Sequence, residues 1–206
     1  MLYAHPHSVI LVFCKAPIPG QVKTRLMPSL TGEEAAQLHR ELTDKTLHTA
    51  TKNNLCDVQL WCSPTTGHPF FTMMSQKYSL ELFVQQGADL GERMHHAFGQ
   101  ALAHFSSALI IGCDCPSLTS ADLEQALSQL NQGKPCVLAP AEDGGYALVG
   151  LRQPQASLFE NMPWGTDAVL ELTRAKLQSL NLGHHELKTQ WDVDTAADLR
   201  RYRVTE

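Results

Sequence analysis

Short apolar runs rich in β-branched residues alternate along this chain with longer segments whose apolar residues recur every three to four positions. The first run, Ser8–Lys15, is typical of a buried strand. The segment 32–52 has helical spacing, and Thr31 and Glu34 stand at the positions of a capping box. Such alternation predicts a three-layer α/β/α sandwich with a mostly parallel central sheet, because helices must cover both faces of a parallel sheet.

The same patterns predict the other elements. Further strands are expected at 57–63, 79–85, 108–112, 136–140, 147–151 and 185–188. Further helices are expected at 87–105, around 123–130, at 166–182 and after Thr195, while 64–78 is expected to be irregular or a short helix. Gly133 and Gly183 follow two of these helices as expected helix-ending residues. No linker or repeat interrupts the series, so 1–206 is predicted to be one domain.

Composition narrows the class of partner. The chain has 16 Lys and Arg against 21 Asp and Glu, a net charge of −5, which argues against binding to nucleic acid or to an anionic membrane surface. The apolar run Val9–Cys14 is too short to span a membrane or to form a signal sequence. The 6 cysteines form no CxxC pair, which favours a reducing cytoplasm over a disulfide scaffold. A small anionic ligand held by a few cations is compatible with this composition.

The loop after the first strand, Lys15–Arg25, concentrates positive charge. It contains Lys15, Lys23 and Arg25, and Pro17 and Gly20 restrict its shape. A stiff loop of this kind can present backbone N–H groups and cations to phosphates. The spacing does not match a Walker A loop. A solvated connector is the alternative interpretation.

Two acidic residues are candidate metal ligands. Asp114 lies at the end of the apolar strand 108–112, one residue beyond it, where a carboxylate can hold a divalent cation over a phosphate; a turn-forming Asp is the alternative. Asp194 lies just before Thr195, so it serves either the helix start or the same metal. Cys113 and Cys115 flank Asp114 without a nearby CxxC or CxxH and are interpreted as packing residues. The scattered histidines are not interpreted as ligands.

Three further segments carry candidate site residues. Glu142 and Asp143 precede Gly144, Gly145 and Tyr146 between two strands, an arrangement that forms a tight turn and can also bring acids to a hydroxyl. At 87–93, Gly91 and Arg93 lie at a helix start that could hold an anion, although Arg93 could equally be a solvated charge. Trp164 is interpreted either as a core residue or as a wall of an acceptor site.

Taken together and in this order, the motifs resemble the bacterial family DUF2064, which is placed in the nucleotide-diphospho-sugar transferase superfamily with the glycosyltransferase-A (GT-A) fold. The matching pieces span residues 12 to 199 and read VFCKAPIPGQVKTRL, GADLGERM, LIIGCDCPSLT, LAPAEDGGYALVGL, PWGT and WDVDTAADL. The late DVDT segment is also similar to that of sugar cytidylyltransferases, and the KTRL loop to that of phospholactate guanylyltransferases.

The resemblance implies a nucleotide site, a Mg²⁺ or Mn²⁺ ion and a small-molecule acceptor. The implied roles are nucleotide binding for Lys15, Gly20, Lys23 and Arg25, and metal binding for Asp114 and Asp194. The segments described above add candidate nucleotide contacts at Pro17, Gly91 and Arg93, candidate catalytic residues Lys23, Asp143 and Glu142, and candidate acceptor contacts at Gly144, Gly145, Tyr146 and Trp164. The chain departs from the pattern at two positions: Pro116 removes the second Asp of a DxD motif, and Ala147 stands where a second aromatic residue is expected.

A transferase is therefore predicted, with three alternatives for its activity. The first is metal-dependent glycosyl transfer from a nucleotide-activated sugar, in which Asp143 or Glu142 orients or deprotonates an acceptor hydroxyl. The second is nucleotidylyl transfer from a nucleoside triphosphate to a phosphorylated molecule, with release of pyrophosphate. The third is a non-catalytic module that binds nucleotide sugars.

Overall fold

The computed structural model describes residues 2–27 and 29–205. Its strands are β1 (Ser8–Lys15), β2 (Asp57–Ser63), β3 (Glu81–Val84), β4 (Ser107–Gly112), β5 (Cys136–Pro140), β6 (Tyr146–Leu151) and β7 (His184–Glu186). Its α-helices are α1 (Gly32–Thr51), α2 (Pro69–Tyr78), α3 (Leu90–Ala101), α4 (Ser120–Asn131), α5 (Ala156–Phe159), α6 (Val169–Ser179) and α7 (Ala196–Thr205), and a 3-10 helix covers Thr24–Leu26.

The strands form one seven-stranded sheet in the order β3-β2-β1-β4-β6-β5-β7. All neighbouring pairs are parallel except those of β6, which runs antiparallel to β4 and β5. The predicted fold class, a mostly parallel sheet within an α/β sandwich, is confirmed. The carboxyl ends of β1, β4 and β5 lie at the same edge, and the turn from β5 to β6 lies at that edge too.

Strand alternation divides the core into two layers. In β1, Ile10 and Val12 are buried in the cluster that contains α1, α2 and α4 residues, whereas Val9 and Leu11 are buried in the cluster that contains α3, α5 and α6 residues. Each of these four side chains is 0% exposed. Burial of one such aliphatic side chain stabilises the fold by about 1.5–3 kcal/mol, so the sheet is a rigid base for the loops at its edge.

A smaller apolar cluster positions two of those loops. It joins Leu26 of the 3-10 helix, Leu42 of α1, Val193 and Tyr202 of α7. Leu26 and Val193 are fully buried. The cluster therefore holds the loop that contains Lys23 beside the segment that contains Asp194.

Several local predictions are confirmed and two are corrected. The capping box of Thr31 and Glu34 is present at the start of α1. The predicted strand at 79–85 is shorter, because Ser79 has a left-handed φ of 56° and ends α2. The predicted helix at 166–182 covers only Val169–Ser179 and is followed by left-handed Asn181 (φ 52°), so Gly183 does not end it. Within the described ranges, no helix is long and apolar enough to cross a membrane.

Candidate functional site

A cleft of about 450 Å³ lies at this edge of the sheet. That volume falls within the range of small-molecule sites, roughly 300–1,000 Å³. The predicted site residues that line it are Lys15, Lys23, Asp114, Asp143, Gly145, Tyr146, Trp164 and Asp194. Those outside its lining are Pro17, Gly20, Arg25, Gly91, Arg93, Glu142 and Gly144.

Lys23 is the centre of the charged end of the cleft. Its backbone has a left-handed φ of 49°, and its side chain is only 4% exposed. The Nζ atom donates to Oδ2 of Asp114 at 3.0 Å and to Oδ1 of Asp194 at 2.9 Å. Burial alone would lower the pKa of Lys23, but the two carboxylates raise it well above its usual value. Lys23 is therefore charged and bridges two acids that are distant in the sequence.

Asp114 and Asp194 are held in place by their own backbone. The N–H of Val193 donates to the carbonyl oxygen of Asp114 at 3.0 Å, which joins the two segments. Asp198 accepts from the N–H groups of Asp194 and Thr195, at 3.3 and 2.7 Å, at the start of α7. Burial raises the pKa of Asp114, but Lys23, His39 and a backbone hydrogen bond together lower it by more, so the net pKa is below the usual range.

The geometry of these two acids fits a divalent cation. Both side chains are partly open to the cleft, at 42% exposed for Asp114 and 30% for Asp194, and their oxygens converge on the Lys23 ammonium. The ammonium thus stands where a cation is stabilised by both carboxylates. Carboxylate oxygens are the ligands that Mg²⁺ and Mn²⁺ prefer. Asp114 and Asp194 could hold such an ion once Lys23 moves toward a phosphate.

Asp192 is a cleft residue to which the sequence analysis assigned no role. It lines the cavity, and its pKa is raised to about 6 by burial and then by the negative charges of Asp194, Asp114 and Asp143. The sequence pattern Asp-Val-Asp could have indicated that Asp192 faces the same side as Asp194. Because Val193 is fully buried, the residues on either side of it in an extended segment both face away from the core.

The turn between β5 and β6 separates its two acids. Asp143 faces the cleft, and its Oδ1 accepts from the N–H of Gly145 at 2.9 Å. Glu142 instead pairs with Arg201 of α7 at 2.9 Å. The guanidinium of Arg201 in turn lies 4.2 Å from the ring centroid of Trp191. Of the two predicted catalytic acids, Asp143 is therefore the one directed toward the cleft.

Gly144 and Gly91 are required by packing. Gly144 has a φ of +85°, and a Cβ there would overlap the backbone of Asp167. A Cβ on Gly91 would lie 2.8 Å from Nε1 of Trp164, so the glycine lets α3 approach that indole closely. Trp164 therefore reaches the wall of the cleft, with Tyr146 also in the lining. A contact between Gly91 and a nucleotide stays a prediction.

The remaining predicted nucleotide-binding residues surround the cleft. Arg25 is 63% exposed and donates to Oδ2 of Asp194 at 3.2 Å. Gly20 has a φ of +78° with open space around it, and Pro17 is buried beside the loop. Arg93 donates from Nε to the carbonyl oxygen of Gly87 at 3.0 Å, which closes the loop before α3. Their roles in binding stay predictions.

A mostly parallel α/β sandwich with a cleft at the carboxyl ends of its central strands belongs to the class of GT-A-like nucleotidyl and sugar transferase folds. Residues 46–166 match the model of DUF2064, described as an uncharacterized protein conserved in bacteria. The chain belongs to this family. No significant match was found among curated proteins.

Solved structures support both the family and the fold. A candidate nucleotide-diphospho-sugar transferase from Desulfovibrio desulfuricans G20 is 31% identical, with a TM-score of 0.88 over 98% of this chain and 88% of that chain. The inositol-1-phosphate CTP transferase from T. maritima is 14% identical, with a TM-score of 0.64 over 98% of this chain and 96% of that chain.

A third similar structure is the glucosyl-3-phosphoglycerate synthase from Mycobacterium tuberculosis, in complex with Mn²⁺, UDP and glucosyl-3-phosphoglycerate. It is 9% identical, with a TM-score of 0.58 over 96% of this chain and 76% of that chain. At identities of 9% and 14%, the similarity of the synthase and of the CTP transferase to this chain shows a shared fold alone. The neighbours are nucleotidyl and sugar transferases, which supports a transferase as the coarse function.

Proposed function

We propose that the protein transfers a glycosyl group from a nucleotide-activated donor to an acceptor hydroxyl, with Mg²⁺ or Mn²⁺ bound by Asp114 and Asp194. The donor phosphates would bind at the charged end of the cleft, near Lys15, Lys23 and the bound ion. The acceptor would bind in the part of the cleft near Tyr146 and Trp164. The solved complex of the M. tuberculosis synthase, which contains Mn²⁺ and UDP, supports a metal-bound nucleotide in this fold.

The surplus of carboxylates in the cleft carries the proposal. Asp143 and Asp192 line the same cavity as Asp114 and Asp194, so two acids remain after a metal has taken its ligands. A neutral hydroxyl acceptor needs a carboxylate to orient it and accept its proton. A phosphorylated acceptor is already anionic and would be repelled by these acids. The cleft therefore favours a hydroxyl over a phosphate as the nucleophile.

The side chains near the donor would have different roles in the reaction. Lys23 and Arg25 would neutralise phosphate oxygens, and when an ion takes Asp114 and Asp194 the Lys23 ammonium would exchange its bonds to these carboxylates for bonds to the nucleotide. Asp143 would accept a hydrogen bond from the acceptor hydroxyl. The ion, when bound, would stabilise negative charge on the departing diphosphate.

Nucleotidylyl transfer is the second candidate, and the basic loop that contains Lys23 favours it. Three cations on one loop suit the larger charge of a triphosphate and of a pyrophosphate leaving group. The similarity of the fold to a CTP transferase supports the same candidate. The two candidates differ in the donor and in the product that carries the leaving phosphates.

The products distinguish these activities. The full chain is incubated with Mg²⁺ or Mn²⁺, a panel of nucleotide sugars and a mixture of sugar and polyol acceptors, and nucleoside diphosphate is measured. Parallel reactions with nucleoside triphosphates and phosphorylated acceptors are assayed for pyrophosphate. We expect nucleoside diphosphate from at least one nucleotide sugar, and its loss in Asp114→Asn.

The control variant is Glu124→Gln, which removes an exposed carboxylate on α4, away from the cleft lining. It should retain full activity. Pyrophosphate release with no diphosphate release would replace the first candidate by the second. Nucleotide binding without turnover of either donor would reject both and leave a binding module.

A further inference from the structure

Two thiols and an imidazole meet below the charged end of the cleft. Cys14 lies near the end of β1 and Cys113 directly follows β4, the neighbouring parallel strand. His39 reaches them from α1. One ligand atom from each residue lies within 4.8 Å of those of the other two, and Cys14 Sγ is 3.7 Å from His39 Nε2. Sequence spacing could not reveal this group, because each residue comes from a different element.

One separation in this cluster matches zinc geometry, and the other two are each within 4.8 Å. Zinc binds sulfur at about 2.3 Å and imidazole nitrogen at about 2.0–2.1 Å in tetrahedral geometry, which puts the two ligand atoms about 3.6 Å apart. The observed 3.7 Å between Cys14 Sγ and His39 Nε2 therefore needs little movement to accommodate the ion. Thiolate and imidazole donors also select zinc over magnesium or manganese, which prefer oxygen.

His39 has an unpartnered nitrogen. The residue is only 5% exposed, and among the described residues its Nδ1 has no hydrogen-bond partner. Its Nε2 lies 2.9 Å from the carbonyl oxygen of Lys15, so that nitrogen carries the proton when no metal is bound. Coordination through Nε2 would move the proton to Nδ1 and replace this hydrogen bond by a bond to the metal. Nε2 is therefore available as a ligand at the cost of its hydrogen bond to Lys15, and the Nδ1–H would then require an acceptor such as a water molecule.

The cluster is buried but is connected to solvent. Cys14 is 1% exposed and Cys113 is 5% exposed, yet both thiols and His39 contribute to the lining of the cleft. An ion can therefore enter from the cleft, and a water molecule from the same side can complete four-fold coordination. Zn²⁺ with two thiolates is electrically neutral, which keeps the cost of a buried charged site low.

We propose that Cys14, Cys113 and His39 form a zinc-binding site at the floor of the cleft, separate from the oxygen-ligand site of Asp114 and Asp194. The interpretation of Cys113 as a packing residue changes accordingly. This zinc site is independent of the proposed glycosyl transfer, because it requires neither a nucleotide nor turnover.

Cobalt substitution tests the proposal directly. The full chain is reduced, stripped with a chelator and titrated with Co²⁺ in the presence of excess Mg²⁺, and the sulfur-to-cobalt charge-transfer absorption is recorded. We expect one equivalent of Co²⁺ to produce this band and Zn²⁺ to displace it. Cys14→Ser, Cys113→Ser and His39→Gln should each weaken binding by about 100-fold or more, since each removes a direct ligand.

Two variants control for other sites and for misfolding. Cys136→Ser removes an equally buried thiol on β5 and should keep the band, while circular dichroism checks that every variant is folded. Asp114→Asn removes a carboxylate of the other site and should also keep it. When the chain is denatured in the presence of a chelator, a thiol reagent should react with all 6 cysteine thiols.

Three results would overturn the zinc site. They are the absence of the band in folded wild type, a band that persists in both ligand cysteine variants, and a deficit of two thiols that indicates a disulfide. Co²⁺ binding without the sulfur band, lost in Asp114→Asn but kept in the cysteine variants, would assign the metal to the carboxylates instead.

Discussion

Replacement of Lys23 by methionine tests the charge arrangement on which the candidate site depends. The substitution keeps an unbranched stem close to that of lysine and removes a cation that is 4% exposed and lies 3.0 and 2.9 Å from two carboxylate oxygens. Removal of one partner of a buried ion pair costs about 3–5 kcal/mol, mostly because the other charge is left without compensation. Asp114 and Asp194 are 42% and 30% exposed, so water compensates part of that loss. We expect a loss of about 2 kcal/mol in the free energy of unfolding, after discounting for solvent screening.

The assay is thermal unfolding in a chelating buffer at neutral pH. For a chain of this size, a loss of about 2 kcal/mol lowers Tm by about 4–8 °C. The matched control is Lys77→Met, which removes an exposed lysine from its pair with Asp44 and should lower Tm much less. Equal Tm changes in the two variants would refute the assignment of Lys23 as the buried counter-charge.

A second arm of the same assay adds Mn²⁺ without nucleotide. In the wild type, the Lys23 ammonium occupies the point on which the two carboxylates converge, so it competes with a metal. In Lys23→Met that competition is absent, and Mn²⁺ should raise Tm more than it does in the wild type, since a ligand that binds the folded state stabilises it. An equal response in both proteins would contradict the placement of the metal between Asp114 and Asp194.

Two further predictions concern the acid cluster and the turn beside it. Because the pKa of Asp192 is raised to about 6, ionisation of Asp192 destabilises the fold as pH rises from the ordinary Asp range through 6, and the cost is complete above that pH. Asp192→Asn should therefore stabilise the chelated protein by about 1 kcal/mol at neutral pH, as measured by denaturant unfolding. At a pH below the ordinary pKa of Asp, the substitution should leave the free energy of unfolding unchanged. The same gain at both pH values would exclude an electrostatic cause. Gly144→Ala should lower the free energy of unfolding by at least about 2 kcal/mol, since it adds overlap with Asp167 to the strain of a positive φ. The control Gly20→Ala has a similar φ in open space and should cost about 1 kcal/mol. Equal losses of stability in the two variants would contradict the packing role of Gly144.

The sequence predicts most of the elements because local patterns encode them. The apolar run Ser8–Lys15 and the capping box at Thr31 are readable from neighbouring residues, and both are present. The position of β6 between β4 and β5 is not encoded in this way. Its antiparallel pairing with β4 follows from the way the chain returns across the sheet, which periodicity alone does not report.

The candidate site is predictable where a residue lies at or just beyond the end of a strand. Asp114 follows β4, and Lys15 ends β1, so both could be placed at the same edge from their strands alone. The bond from Lys23 to Asp194 could not be predicted, because it depends on the apolar contact of Leu26 with the cluster that contains Val193. Glu142 shows the converse: its sequence neighbours suggest a catalytic acid, but a long-range partner, Arg201, holds it outside the cleft lining.

The end of β4 joins two sets of donors with different chemistry. Cys113 contributes a thiol to the cluster with Cys14 and His39, and the next residue, Asp114, contributes a carboxylate to the group around Lys23. The first set is suited to zinc and the second to magnesium or manganese. Because the two donors are consecutive in the chain, any shift of the backbone that tightens one set also moves the other. Occupation of the zinc site should therefore alter the affinity of the nearby carboxylates for their cation, but because the two sites share no ligand, neither should be abolished by loss of the other.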